Sequence, residues 1–280
     1  MQKEDNRILI TDENVSVISA TGEDTLNFLQ SQLTGDISLI NEKESMLTAW
    51  CTPNGRVTNV LRVFKMKDNE YAIELHSEDK ELFLKKINMY LFRSKVTFEE
   101  KERHKFCILE LYDIGKLSLG ENTPLILKGE RRLTDKPATS NIEPEKSQNL
   151  SNLYDILNLV PWVNNSLSSS YLPQELALDQ TGGLSFKKGC FPGQEIIARV
   201  KYRGKVKNRL ENLLVDAAFK RLPEIGQKIK NESGKNVGTI LRSAFWGSNT
   251  IILLAVVNVK EEGTLSVEIK GSQFNCRRTE

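Results

Sequence analysis

Six short strand-like segments crowd the last quarter of the chain, at 209–215, 228–231, 237–244, 251–257, 265–270 and 274–277. Turns at 223–226, 233–234, 247–249, 262–263 and 271–272 separate them, each built from Pro, Gly, Ser or Asn, residues that reverse the backbone at little steric cost. Strands of this length at this spacing indicate a small barrel or sandwich, with a boundary near Lys207. The longest unbroken apolar run in the chain, 251–257, is strand-sized. Nothing in the chain approaches the roughly 18 apolar residues of a membrane-spanning helix.

The chain upstream has a different texture. Its spacing predicts a strand pair, 7–10 and 15–20, around a turn at 12–14. A capping box follows, with Thr21 as N-cap and Asp24 reaching back, then a helix to about Leu33 carrying Leu26, Leu29 and Leu33. Strands 47–51 and 57–64 are joined by Thr52-Pro53-Asn54-Gly55, where Pro presets φ and Asn and Gly tolerate the reversal; Arg56 reads as a solvated hairpin arginine. A strand at 71–75 precedes a helix capped by Ser77 and running through Leu91, with Phe83, Ile87, Tyr90 and Leu91 as its buried stripe. Strands at 96–99 and 106–111 complete an α+β layer, helices on one face of an antiparallel sheet. Residues 128–152 are polar and hold two prolines, reading as a long surface loop or partly disordered connector. Order returns at 154–163, and Leu172-Pro173-Gln174-Glu175-Leu176 starts a helical turn with Pro at its first position.

The 280 residues suffice for one large domain or two to three small ones. Net charge is only +2, so anion binding must come from local clustering. The first residues hold no hydrophobic signal core and carry acids early, so a cytoplasmic protein is expected. The cysteines, at 51, 107, 190 and 276, are far apart and read as reduced thiols without a Cys-x-x-Cys metal site. Only His76 and His104 exist, which argues against a histidine-based triad or metal centre.

The densest chemistry runs from Gly182 to Arg209, with eight lysines or arginines against one acid, Glu195. Cys190 lies between Lys187-Lys188-Gly189 and a helix start at Pro192-Gly193. A thiol just before a helix N-terminus, with two lysines upstream, has reasons to ionise readily; the alternative is a buried, inert cysteine. Ile196, Ile197 and Val200 make the apolar face of that helix. Residues 199, 201, 203, 205, 207 and 209 are all basic, the period of a strand. Ending the helix near Tyr202, with Gly204 as breaker, puts the later cations on a short extended exit. Six cations without an acid favour an anionic partner over a merely solvated face.

Lys188-Gly189-Cys190-Phe191, Gly193-Gln194-Glu195, Arg199 and Tyr202-Arg203-Gly204, in that order, resemble the signature of the YgfZ family. Phe28 to Asp36, Ala49 to Arg56 and Ser94-Lys95-Val96 are similar to further elements of that family. The resemblance implies the fold of the glycine cleavage T-protein: two α+β lobes (residues 1–206, the second lobe about 47–128) and a C-terminal six-stranded β-barrel (207–280), ring-like around a central folate-binding hole. It implies a tetrahydrofolate-type ligand and a tie to iron–sulfur enzymes such as a tRNA methylthiotransferase. Cys190 is then the functional thiol, with no robust catalytic turnover implied. A folate needs an apolar or aromatic slot for its pterin and cations for its glutamate tail. Tyr154 and Trp162 are the aromatic candidates; Val15 stands where the family often has a second aromatic. Arg199 and Arg203 suit the carboxylates. Gln194 and Glu195 either meet the pterin edge or cap the helix, and Lys188 and Tyr202 complete the expected set. No metal ligands are expected. Two other functions compete. One is a folate-dependent aminomethyltransferase of the same fold. The other is a tRNA-binding module, against which stand the near-neutral charge and the lack of aromatics interleaved along the cationic stretch.

Overall fold

The computed structural model describes residues 8–12, 14–100, 106–112, 128–134, 143–216, 221–246 and 249–279. In chain order its elements are β1 (Ile8–Thr11), β2 (Val15–Thr21), α1 (Thr25–Gln32), β3 (Ser45–Cys51), β4 (Val57–Lys67), β5 (Glu70–His76), α2 (Lys80–Asn88), β6 (Thr97–Glu99), β7 (Phe106–Tyr112), β8 (Lys128–Thr134), α3 (Pro144–Leu157), α4 (Gln194–Arg203) and six strands, β9 (Asn208–Asp216), β10 (Lys228–Asn231), β11 (Asn236–Phe245), β12 (Thr250–Asn258), β13 (Leu265–Ile269) and β14 (Ser272–Arg278). Two compact units result. One holds Glu13–Phe106 and Trp162–Val206, the other Met1–Asp12, Cys107–Pro161 and Lys207–Glu280. Both are α+β.

The first unit is built on a five-stranded antiparallel sheet ordered β3-β4-β5-β2-β6. Alternation decides its faces: Ile18 and Ala20, Leu61 and Val63, and Ile73 and Leu75 all turn to one side. There they pack on Phe28, Leu29 and Leu33 of α1 and Phe83 and Ile87 of α2. Trp50 fits edge-on against the rings of Phe83 and Tyr90, both centroids 5.6 Å away.

The expected helix starts are placed differently. Gly22 takes φ +133, and a Cβ there would lie 2.0 Å from the Lys95 carbonyl oxygen. That crossing, not a capping box at Thr21, shapes the entry to α1. The Asp24 carboxylate accepts the Lys95 N–H at 2.8 Å, and Thr25 Oγ1 donates to the Gly22 carbonyl. Likewise Ser77 does not cap α2. Ser77–Asp79 form a 3-10 turn, and Ser77 Oγ accepts from Ser16 Oγ at 3.1 Å. Helix α2 stops at Asn88, so Tyr90 is 39% exposed and not part of a buried stripe. The expected β1–β2 hairpin is also absent: β1 pairs with β7, and β2 with β5 and β6. β1 and β2 thus belong to different sheets.

In the second unit β9–β14 form a closed barrel ordered β10-β11-β12-β9-β14-β13, with β13 returning to pair with β10. Closure removes the free edges that six short strands would otherwise expose. Strand β12 is buried on both sides. Ile251, Leu253, Ala255 and Val257 enter the barrel core, while Ile252 and Leu254 meet Leu150, Leu153, Tyr154 and Ile156 of α3. Its unbroken apolar run follows from having two covered faces.

A three-stranded sheet, β1-β7-β8, completes this unit. Here the reading of 128–152 as a loop is overturned, because β8 and most of α3 fall within it. The stretch looked polar because part of its buried contact is ionic. Arg131 on β8 is fully buried and donates from Nη2 to both Asp155 carboxylate oxygens, at 2.8 and 2.9 Å, and to Asp12 at 3.1 Å. Ser151 donates to Asp12, and Arg242 Nη1 lies 3.1 Å from Asp155.

Candidate functional site

The site is assembled from segments far apart in sequence, all within the first unit. The loop before Cys190 is fastened to the end of α1. Thr34, wholly buried, donates from Oγ1 to the Gly183 carbonyl at 2.7 Å and accepts the Ser185 N–H at its own carbonyl at 2.9 Å. Thr48 Oγ1 accepts the Gly35 N–H at 2.8 Å and holds the receiving turn in place. Gly183 is required there, since a Cβ would stand 2.6 Å from the Leu47 carbonyl oxygen.

Lys188 makes the second fastening. Its ammonium donates to the carbonyls of Leu33 at 2.8 Å and Gly35 at 2.7 Å. Leu33 caps the C-terminus of α1, where carbonyls lack helical partners and the dipole favours a cation. The ammonium also lies 5.5 Å from the Phe191 ring centroid. Burial pulls the Lys188 pKa down to about 8, with the Asp36 carboxylate opposing the shift. The Ser38 hydroxyl, which donates to Asp36 at 2.5 Å, holds that carboxyl below its ordinary value, aided by Gln30 and Lys188.

Between Lys188 and the buried Phe191, Cys190 is exposed. The buried-cysteine alternative therefore fails for this residue. It holds for Cys51 and Cys276, whose thiols burial pushes up, that of Cys276 to about 12. Cys107 has its side chain outside the described residues, as does all of His104.

Helix α4 follows, and its start is set by two glycines. Gly193, its N-cap, has φ +82, and Gly55 of the β3–β4 turn has φ +72. A Cβ on Gly193 would stand 2.4 Å from Gly55 Cα and 2.7 Å from the Thr52 carbonyl oxygen. The hairpin and the helix thus approach backbone to backbone, which only glycine permits. Gln174 pins the next turn by donating Nε2 to the Ile197 carbonyl at 2.7 Å. Neighbouring Glu175 accepts the Leu172 N–H and pairs with Arg56 at 3.3 Å. Arg56, which also donates to the Ser170 carbonyl, is therefore not the free hairpin arginine its sequence context suggests. Gln174, Thr34 and Thr48 are structural supports of the loop and helix that sequence reasoning missed. Polar residues in a buried tie carry no periodicity, and only Thr34 falls within a quoted motif.

Helix α4 buries Ile197 and turns Glu195, Arg199, Tyr202 and Arg203 outward. It extends to Arg203, one residue beyond the expected end, with Gly204 as C-cap. Period-two basic spacing therefore has no strand behind it at 199–203; on a helix it sets Arg199 and Arg203 one turn apart, with Lys201 between them reaching the Phe186 ring. Of the expected site residues, Lys188, Cys190, Gln194, Glu195, Arg199, Tyr202 and Arg203 lie together on this loop and helix. Tyr154 and Trp162 are on neither element. Tyr154 belongs to the second unit, is 9% exposed, packs in the α3–barrel core and donates its hydroxyl to the Gly129 carbonyl. Trp162 is 4% exposed. Among the described residues no three His, Cys, Asp or Glu side chains converge as a metal-binding group, and no helix is long and apolar enough to cross a membrane.

Comparison with known proteins adds three findings. No family model matches the chain. It is 29% identical over 280 residues to the tRNA-modifying protein YgfZ of Enterobacter sp. (strain 638) and 30% identical over 281 residues to that of Escherichia coli O17:K52:H18 (strain UMN026 / ExPEC), in each case over 89% of this chain and 85% of the relative. Among solved structures, the fold is similar to glycine cleavage system aminomethyltransferase T from Bartonella henselae, with a TM-score of 0.66 at 12% identity, over 98% of this chain and 85% of the other.

Proposed function

The chain belongs to the YgfZ family, and from that premise we propose a folate-binding accessory protein. It supports assembly or repair of iron–sulfur enzymes and, through a tRNA methylthiotransferase among them, thiomethylation of tRNA. The relatives are named as tRNA-modifying proteins, and the fold is that of an aminomethyltransferase. The observation that carries the reading is an exposed thiol, Cys190, on a loop whose neighbours are fixed at Lys188, Phe191 and Gly193.

Tetrahydrofolate fits part of the expected residue set. Arg199 and Arg203 are exposed and make no ion pair among the described residues, so both guanidinium groups can meet the glutamate-tail carboxylates. Tyr202, 69% exposed, presents a ring. Gln194 and Glu195 at the helix start offer an amide and a carboxylate to the pterin edge. Tyr154 and Trp162 show no free face and act as packing residues. Lys188 spends two of its three N–H donors on backbone carbonyls and positions the Cys190 loop. When bound, the folate supplies one-carbon carriage. The protein's part is to hold the tail, orient the ring system and present the thiol to the folate or to a partner's cluster.

In cells lacking this protein, thiomethylated tRNA nucleosides measured by mass spectrometry should fall. The wild-type chain should restore them and Cys190→Ala should not; unchanged nucleoside levels, or equal restoration by the variant, would overturn the proposal. A second reading, a folate-dependent aminomethyltransferase, has the shared fold in its favour and would show itself as glycine-dependent formation of methylenetetrahydrofolate.

A further inference from the structure

Folding removes the objection that the cationic stretch lacks aromatics. Phe186, from the loop before Cys190, meets Tyr202 of α4 edge-to-face, with centroids 6.3 Å apart and planes at 70°. Lys201 Nζ sits 4.0 Å from the Phe186 centroid. Around this pair Lys187, Arg199, Lys201, Arg203 and Lys205 are all exposed. None of the five makes an ion pair among the described residues, and Glu195 is the only acid from 180 to 210. On the same unit several other surface cations are neutralised locally, as in Lys65–Asp68, Lys67–Glu70 and Lys80–Glu100, while Lys43, Lys85 and Arg93 stand without an ion pair among the described residues but scattered along the sequence. Five unpaired cations around a largely exposed ring are what a strand with spaced phosphates and unstacked bases requires. An acidic protein surface would use the charges and leave Tyr202 idle.

We propose that the Phe186–Tyr202 face, with Lys187, Lys201 and Lys205 and the adjoining Arg199 and Arg203, binds an unpaired segment of RNA. Phosphates lie on the cations and a base stacks on Tyr202. RNA is the nucleic acid that offers such splayed bases in loops and bulges. The inference goes beyond the folate reading and does not depend on it; only Arg199, Arg203 and Tyr202 are shared.

The test uses the full chain and a fluorescein-labelled RNA stem-loop, followed by fluorescence anisotropy across a salt series. If all five cations meet phosphates, log K should fall against log[salt] with a slope of about −3.5, from roughly −0.7 per contact on a single strand. Lys187→Glu combined with Lys205→Glu should flatten the slope by about 1.4 while leaving tetrahydrofolate binding unchanged, which separates this proposal from the folate one. Tyr202→Ala should weaken loop binding roughly 5- to 100-fold with the slope retained. The proposal is overturned if the wild type does not bind the stem-loop, or if the lysine reversals leave the slope intact. It is equally overturned if duplex RNA or phosphatidylglycerol vesicles compete as well as the loop does.

Discussion

At the residue scale, the position of Cys190 rests on neighbours that are not themselves reactive. Gly193→Ala puts a Cβ into a left-handed conformation and 2.4 Å from Gly55 Cα. Strain of this kind costs of order 1–3 kcal/mol, so urea unfolding should show a loss of about 2 kcal/mol. Gly189→Ala, where a Cβ meets nothing within 4 Å, should stay within about 0.5 kcal/mol of wild type. Lys188 provides a pH signature. Its folded pKa, near 8, lies below the 10.5 of a free lysine, so between those values the unfolded chain binds the extra proton and stability must rise with pH. Comparing unfolding of wild type and Lys188→Met at pH 7.5 and 10 should show the wild type gaining on the variant; equal pH dependence would mean Lys188 titrates normally. Thiol labelling offers a third check. In a Cys107→Ser background one thiol should react quickly in the native state and vanish in Cys190→Ala, while Cys51 and Cys276 wait for unfolding. That Cys190, Arg199 and Arg203 share one loop and helix was legible from their spacing. The sequence could not announce Lys188 as an anchor, because the carbonyls it grips belong to Leu33 and Gly35, over 150 positions away.

At the scale of elements, strands with alternating or continuous apolar patterns were the most legible. Every barrel strand was expected within a residue or two of its place, because turn chemistry and apolar runs both mark it. The stretch from β8 into α3 was the least legible. Its hold on the second unit is shared between Leu150, Leu153 and Ile156, which pack, and Arg131, which joins β8 to α3 and to Asp12 beyond β1. A buried ionic tie has no sequence period, and masks an element whose charges look solvated. Arg131→Met leaves Asp12 and Asp155 short of a buried countercharge. Breaking such a pair costs about 3–5 kcal/mol, and the loss should appear in equilibrium unfolding of the full chain. A change under about 1 kcal/mol would show that Arg242 alone suffices.

At the scale of the whole molecule, the barrel is closed in its hydrogen bonding but not self-sufficient in its packing. Ala244, Ile252 and Leu254 lie outside the barrel core and are covered by α3 and Ile10. Leu254→Ala should destabilise the chain by about 2–5 kcal/mol, although its side chain faces away from the barrel interior. The α+β class and barrel were visible beforehand because both follow from pattern. The allotment of β1, β7, β8 and α3 to the barrel's unit was not, because it depends on which sheet each strand joins. Function at this scale turns on whether the cationic helix and its neighbouring thiol serve a bound folate. The direct measurement is calorimetric titration of the purified full chain with tetrahydrofolate under anaerobic conditions, repeated with Arg199→Ala combined with Arg203→Ala. The account predicts a saturable single-site isotherm for the wild type, weakened roughly tenfold or more in the double variant by the loss of charge-assisted hydrogen bonds. No saturable binding by the wild type, or equal affinity in the variant, would contradict it.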